Sequence, residues 1–151
     1  MGKLIEKEQI MSDKLKTSLL QGKYKKAEKI CEEKNINDIR DMIMTIAYDT
    51  ENLCVYSFVQ YMIQKTKKIE WIEIAIDVML NPLCFVEGAY SVALFHTREL
   101  LKYRKNVENL EKILFFYNIP EKLVDLEEAQ YIVEEILQID PNNEVALGIK
   151  Y

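Results

Sequence analysis

The chain has 151 residues, of which 49% are hydrophobic and 30% charged, and it contains only four glycines and three prolines. This length and composition suffice for a single hydrophobic core and exclude a disordered or low-complexity polypeptide, so we expect one domain over residues 1–151. The formal net charge of −5 argues against nucleic acid as the ligand, because phosphate binding relies on excess Lys and Arg. This charge is explained either by solubility alone or by a preference for a basic protein partner.

The N-terminal segment, residues 1–16, alternates charged residues with single apolar ones and lacks the apolar core of a secretory signal. No later stretch reaches the roughly 18 uncharged apolar residues that would cross a bilayer. The sequence therefore predicts a cytoplasmic protein without membrane association. Cys31, Cys54 and Cys84 have no Cys-x-x-Cys spacing and lie in apolar surroundings within or next to predicted helices, so we interpret them as reduced packing residues.

Helical periodicity is clearest from residue 53 to residue 64, although residues with strong strand propensity are frequent there. Ser57, Gln60 and Gln64 are spaced three and then four residues apart, as on one stripe of an α-helix. The same reasoning along the chain predicts nine helices, at residues 3–21, 24–34, 37–48, 51–66, 69–81, 85–104, 107–118, 123–139 and 142–150. Asparagine marks many of the joints, and Asp140 followed by Pro141 indicates the start of the last helix. Such short joints favour antiparallel hairpins.

Acidic side chains form a stripe along the predicted fifth helix, and a second acidic run occupies residues 125–135. Either is explained by a solvated helix face or, alternatively, by a docking face for a basic protein. The chain also has nine tyrosines and one tryptophan, and amphipathic aromatic side chains are frequent anchors of protein interfaces. The candidate partner-binding residues are Glu70, Glu73, Asp77, Trp71, Tyr61 and Tyr90.

The most apolar segment, residues 83–95, is interrupted by Glu87 and Ser91, and Arg98 lies seven residues further along the same predicted helix face. A carboxylate among apolar neighbours is costly to bury unless it is paired. These three residues therefore form either an internal ion pair between hairpins or a recessed polar pocket. Gly88 inside the predicted helix indicates the close approach of a neighbouring helix.

Motifs for catalysis are absent from the sequence. His96 is the single histidine, and with Glu99 it offers too few groups for a metal bundle site, so we interpret it as structural and expect no metal or cofactor. There is no Gly-rich phosphate loop, no His-Glu-x-x-His and no Gly-x-Ser-x-Gly motif. The sequence therefore predicts a protein that is not an enzyme.

An internal repeat relates residues 91–108 to residues 127–144 without a gap, with Ala93 aligned to Ala129, 36 positions later. The second copy resembles the second helix of the tetratricopeptide family, which has a small residue, three apolar residues and a proline at fixed spacing. Those positions are occupied by Ala129, Val133, Ile136, Leu137 and Pro141, and residues 21–27, with Gly22 and Ala27, resemble the turn between the two helices of the family.

This resemblance implies an all-α fold in which antiparallel helical hairpins stack as a short, irregular α-solenoid. It is irregular because Lys105 replaces the turn proline in the first copy, Pro120 falls inside an expected first helix, and residues 36–82 show no clean repeat. The family motif describes helix packing and implies no substrate. It is typical of modules that bind other proteins.

The chain is also similar in general character to small acidic bacterial immunity proteins, which neutralise basic nuclease toxins. We therefore expect a non-catalytic protein-binding module, and in its most specific form an immunity protein. The alternative is a ligand-responsive regulator or small enzyme with a polar pocket around Glu87, Ser91 and Arg98. The partner's identity and the oligomeric state stay open at this point.

Overall fold

The structure is a computed structural model that describes the backbone of residues 1–150 and the side chains of residues 1–149. Within this range it contains nine α-helices and no strand, which confirms the predicted all-α class. The helices are α1 (Gly2–Leu20), α2 (Tyr24–Glu32), α3 (Ile36–Thr50), α4 (Cys54–Thr66), α5 (Ile69–Leu80), α6 (Ala89–Tyr103), α7 (Val107–Asn118), α8 (Leu126–Ile139) and α9 (Glu144–Lys150). No helix among the described residues is long and apolar enough to cross a membrane.

Capping side chains set where four of the helices begin. Asn35, Asn106, Asp125 and Asn143 each accept a hydrogen bond from the backbone N–H three residues later, at 2.8 to 2.9 Å. Such caps satisfy N–H groups that have no partner inside the first turn. Asn35 and Asn106 confirm two predicted joints. The last helix begins after Asn143, so the predicted start after Asp140 is wrong.

The start of α6 differs most from the sequence prediction. Residues 81–88 form successive turns, and the helix begins at Ala89 instead of residue 85. Gly88 has a φ of 83°, a left-handed conformation that ends regular helix and that glycine adopts without a steric penalty. A Cβ at Gly88 would meet nothing within 4 Å, so the predicted close approach of a helix is wrong there. Glu87 and Cys84 consequently lie exposed in turns, and not in a helix.

The chain divides into two compact units, residues 1–89 and 90–151, where the sequence analysis expects one domain. In the first unit α4 packs along α5 and also contacts α1, α2 and α3. Seven of the twelve residues of α5 are buried, so this helix lies in the core. In the second unit α8 packs against both α7 and α9.

In the second unit, two ion pairs join α6 and the joint that follows it to α8. Arg98 donates two hydrogen bonds to the carboxylate of Glu128, and Lys105 Nζ lies 2.6 Å from Glu135 Oε2. Arg98 and Lys105 are seven residues apart, as are Glu128 and Glu135. Because the basic residue and its acidic partner both advance in chain direction from the first ion pair to the second, α6 and α8 run in the same direction.

The same relation holds between α2 and α4 in the first unit. The Tyr24 hydroxyl donates to the carbonyl oxygen of Cys54 at 3.0 Å, and the Tyr61 hydroxyl donates to Glu28 Oε1 at 2.9 Å. The second contact lies further along both helices than the first, so α2 and α4 also run in the same direction. Arg40 on α3 forms an ion pair with Asp77 on α5. Polar contacts therefore repeatedly join a helix to the one two places later.

Candidate functional site

A cleft of about 590 Å³ opens in the first unit, where the last turns of α2 and α4 lie beside the first turns of α3 and α5. We call it the α2–α5 cleft. Its volume falls within the range of pockets that bind ligands or partner side chains. Its apolar floor consists of four side chains that are at most 6% exposed, Cys31, Ile39, Met62 and Trp71. Its charged lining consists of Glu28, Glu32, Lys34, Lys68 and Glu70.

Aromatic rings support the cleft from behind. Phe58 packs edge-on against Trp71 with ring centroids 5.9 Å apart, and it lies 5.6 Å from the ring of Tyr24. Tyr61 completes the cluster, with its centroid 5.8 Å from Tyr24. Such tilted and edge-to-face pairs are the favourable arrangements of aromatic quadrupoles. Because the rings come from α2, α4 and α5, they hold the walls of the cleft together.

Glu28 is held at the rim by two donors on α4. Its Oε1 accepts a hydrogen bond from the Tyr61 hydroxyl at 2.9 Å and lies 3.1 Å from Lys65 Nζ. The hydrogen bond from Tyr61, together with that from Lys65, lowers the pKa of Glu28 below its ordinary value. The pKa of Lys65 is raised in turn, first by its hydrogen bond to Glu28. The rim therefore presents a carboxylate that is ionised and fixed in position.

Cys31 contributes an inert surface to the floor. Burial raises the pKa of its thiol to about 12, and the nearby charge of Glu28 acts in the same direction. Since the thiolate is the nucleophilic form, this cysteine stays unreactive at neutral pH. All three cysteines are free, as predicted, but Cys84 is exposed and is not the packing residue expected from the sequence.

Three of the six predicted partner-binding residues meet at this cleft. Glu70 and Trp71 line it directly, and Tyr61 bonds to Glu28 at its rim. Trp71 is only 3% exposed, so it forms part of the floor and does not protrude as an anchor.

The other three lie elsewhere. Glu73 and Asp77 are half-buried further along α5, and Asp77 forms an ion pair with Arg40. Tyr90 belongs to the second unit, where its ring packs edge-on against Phe115 with centroids 6.2 Å apart. Two of the three carboxylates in the acidic stripe of α5 are therefore half-buried in the fold, and Glu70 is the most accessible of the three.

The predicted polar face of Glu87, Ser91 and Arg98 does not form one helical stripe. Glu87 precedes α6 and is exposed in a turn, and Ser91 is exposed in the first turn of α6. Arg98 is engaged by Glu128, and this hydrogen bond is the main reason that its pKa is raised. The expected ion pair between helices thus involves Arg98, but its carboxylate comes from α8.

Four charged residues of the cleft are not among those predicted from the sequence: Glu28, Glu32, Lys34 and Lys68. Glu28 and Glu32 are four residues apart on α2 and flank Cys31, which is a recognisable helical stripe. Lys34 and Lys68, by contrast, lie in the joints before α3 and α5. Only tertiary packing brings these two joints together.

His96 is 1% exposed, and its Nδ1 lies 3.0 Å from Glu99 Oε1 on the same helix. Among the described residues, no three His, Cys, Asp or Glu side chains are placed so that they could hold a metal ion. Comparisons with protein-family models, with curated proteins and with solved structures found no match to this chain.

Proposed function

We propose that this chain is a non-catalytic protein-binding module and that the α2–α5 cleft receives a basic side chain of its partner. The observation that carries the proposal is the combination of a buried apolar floor with an acid-rich lining, three carboxylates against two ammonium groups. Interfaces are typically organised in this way, with an apolar pocket at the centre and charged residues around it.

The chemistry of the cleft favours an arginine or a lysine as the inserted residue. The aliphatic stem of such a side chain would pack against Met62 and Trp71, while its charged end would meet Glu32 and Glu70. Glu28 is already bonded to Tyr61 and Lys65, so it supports the negative potential of the rim without moving. The overall charge of −5 would attract a basic partner before contact.

For the fold we propose the irregular, tetratricopeptide-like stack of hairpins that the sequence resembles. The contacts between α2 and α4, α6 and α8, and α7 and α9 support it, because they join residues 30 to 33 positions apart. That separation is close to the roughly 34-residue period of the family. Ala27, Ala93 and Ala129 are each 0% exposed, as expected of small residues where two helices cross.

A more specific form of the proposal is an immunity protein that neutralises a basic toxin. The net charge supports this form, because nuclease toxins carry basic surfaces that bind phosphate. Co-expression with the identified partner tests it. Restored growth of cells that produce a toxic partner is the expected result, and absence of protection would remove the immunity role while leaving the binding module in place.

The binding proposal itself is tested by affinity capture from the native cytosol, with identification of the captured protein and titration of the purified pair. The variant Glu32→Lys/Glu70→Lys should lower the affinity at least about tenfold, since like charges would meet the basic residue. Glu108→Lys/Glu121→Lys is the matched control, because it makes the same charge change at two exposed positions of the second unit. Equal affinities for the cleft variant and wild type would refute a role for the cleft.

A further inference from the structure

A second groove, of about 410 Å³, lies between α1 and α2 and differs from the α2–α5 cleft in charge. Each helix contributes a first residue and others three, four and seven positions after it. Residues at these positions form one stripe along the face of an α-helix. The stripe of α1 consists of Lys7, Ile10, Met11 and Lys14. The stripe of α2 consists of Lys26, Lys29 and Ile30, and it continues to Glu33, the C-cap residue after α2. We call this surface the lysine groove.

Apolar side chains occupy the middle of the lysine groove, and ammonium groups surround them. Ile10 is 54% exposed, so its burial by a partner would be favourable. Lys7, Lys14, Lys26 and Lys29 are all exposed, and none of them forms an ion pair within the part of the chain that the structure describes. The groove therefore offers a positive surface on a chain whose net charge is −5.

The complementary surface lies on the same chain. Residues 123–149 contain seven Asp and Glu residues and no Lys or Arg. One face of α8 carries four exposed residues, Glu127, Gln130, Tyr131 and Glu134. The last three follow the first by three, four and seven positions, as in the stripes of the groove. We call them the outer stripe of α8. Glu128 and Glu135 are not part of it, because they are already paired with Arg98 and Lys105.

The two stripes match in length as well as in charge. Lys7 and Lys14 are seven residues apart, as are Glu127 and Glu134, so each pair spans about 10 Å at the helical rise of about 1.5 Å per residue. Between the charges, α1 places Ile10 and α8 places Tyr131, which is 63% exposed. A helix laid into the groove would therefore pair both charges and bury both apolar side chains together.

We propose that the lysine groove of one chain receives α8 of a second copy of this chain. The contact is heterologous, because it joins different surfaces of the two molecules, so repeating it builds a ring or a filament. This self-association uses surfaces outside the α2–α5 cleft and stands independently of the proposed function. Because ion pairs contribute to the contact, the self-association should weaken as the salt concentration rises.

Sedimentation velocity of the full chain, over about a hundredfold range of concentration, tests the proposal by mass action. Wild type should associate reversibly in about 0.05 M salt and much less in about 0.5 M salt. Lys7→Glu/Lys14→Glu and Glu127→Lys/Glu134→Lys should each weaken self-association at least about tenfold, because each brings like charges together. Lys25→Glu/Lys102→Glu is the matched control outside the groove and should associate as wild type does.

Mixing the two reversed variants gives the decisive result. Each variant alone should stay monomeric, and the equimolar mixture should form assemblies in which the two variants alternate. The reversed groove of one variant faces the reversed helix of the other, and their two unchanged surfaces also match. Circular dichroism of each variant checks that it is folded. A wild type that stays monomeric at the highest concentration, or a mixture that forms no assembly containing both variants, overturns the proposal.

Discussion

The Tyr61 hydroxyl donates a hydrogen bond of 2.9 Å to Glu28 Oε1, a residue 33 positions earlier in the chain. This single contact joins α4 to α2, fixes a carboxylate at the rim of the α2–α5 cleft and lowers the pKa of that carboxylate. Neither residue would be assigned this role from its position in the sequence alone. Two predictions depend on it directly.

Replacing Tyr61 by phenylalanine keeps the ring but removes the donor. The pKa of Glu28 should then rise towards its ordinary value, because the hydrogen bond from Tyr61 is the largest cause of its lowering. A carboxyl-carbon NMR titration measures this pKa residue by residue. Tyr131→Phe is the control, since Tyr131 is exposed on α8 and should leave the titration of Glu28 unchanged. An unaltered pKa in Tyr61→Phe would contradict the role of the hydroxyl.

The lowered pKa of Glu28 also predicts a pH dependence of stability. Folding favours the ionised form, so Glu28 stabilises the fold at pH values above the ordinary glutamate pKa. This contribution is lost as the pH falls through the lowered pKa. Glu28→Gln should therefore shift the urea midpoint downwards at pH 7 and by a smaller amount near about pH 3, which is below the ordinary glutamate pKa.

Urea titrations of wild type and Glu28→Gln at both pH values measure the difference. Glu121→Gln is a suitable comparison, because Glu121 is exposed in the turn before α8. A Glu28→Gln shift of the same size at both pH values would mean that the carboxylate charge is not what stabilises the contact.

The three cysteines should differ in reactivity. Cys84 is exposed and should react first with a thiol reagent, whereas Cys31 is buried and its pKa is raised to about 12. Cys54, which is half-buried and also has a pKa raised by burial, should react at an intermediate rate. Single Cys→Ser variants assign each phase of the reaction. Rapid labelling of Cys31 in the folded protein would show that the floor of the cleft opens to solvent.

Gly88 and Gly148 should respond oppositely to alanine. Gly88 has a φ of 83°, so Gly88→Ala should destabilise the protein by about 1 kcal/mol although there is space for the methyl group. Gly148 lies in α9, and Gly148→Ala should be neutral or stabilise by up to about 1 kcal/mol, because alanine is the better helix former. Thermal or urea unfolding of the two variants gives both values. Equal effects would contradict the left-handed conformation at residue 88.

Sequence reasoning was most successful where helical periodicity is strong. The predicted helix over residues 107–118 coincides with α7, and the predicted helix over 69–81 differs from α5 by one residue. It failed before α6, where the apolar composition of residues 83–95 suggested a continuous helix. There the left-handed backbone at Gly88 determines where the helix begins. An apolar pattern does not encode a backbone dihedral angle, so the sequence did not predict this start.

Some residues of the candidate cleft are among those that the sequence predicts as partner-binding. Acidic and aromatic chemistry predicts a binding role for Glu70, Trp71 and Tyr61, and the structure brings these three residues to one place. Asp77, by contrast, is engaged by Arg40 from a different helix. Periodicity identifies which residues share a face of one helix. It does not say which other helix covers that face, and this determines whether a charge is paired or free to bind.

The sequence by itself determined the all-α class, the approximate bounds of nine helices over the described residues, and the position of caps such as Asn35 and Asn106. These features depend on residues within about one or two turns of each other, so local propensity and periodicity suffice. Only the tertiary structure decided that Trp71 is a floor residue, that Glu28 bonds to Tyr61, and that the lysine groove lies between α1 and α2. Those relations join residues far apart in the chain, and they depend on which helices pack together.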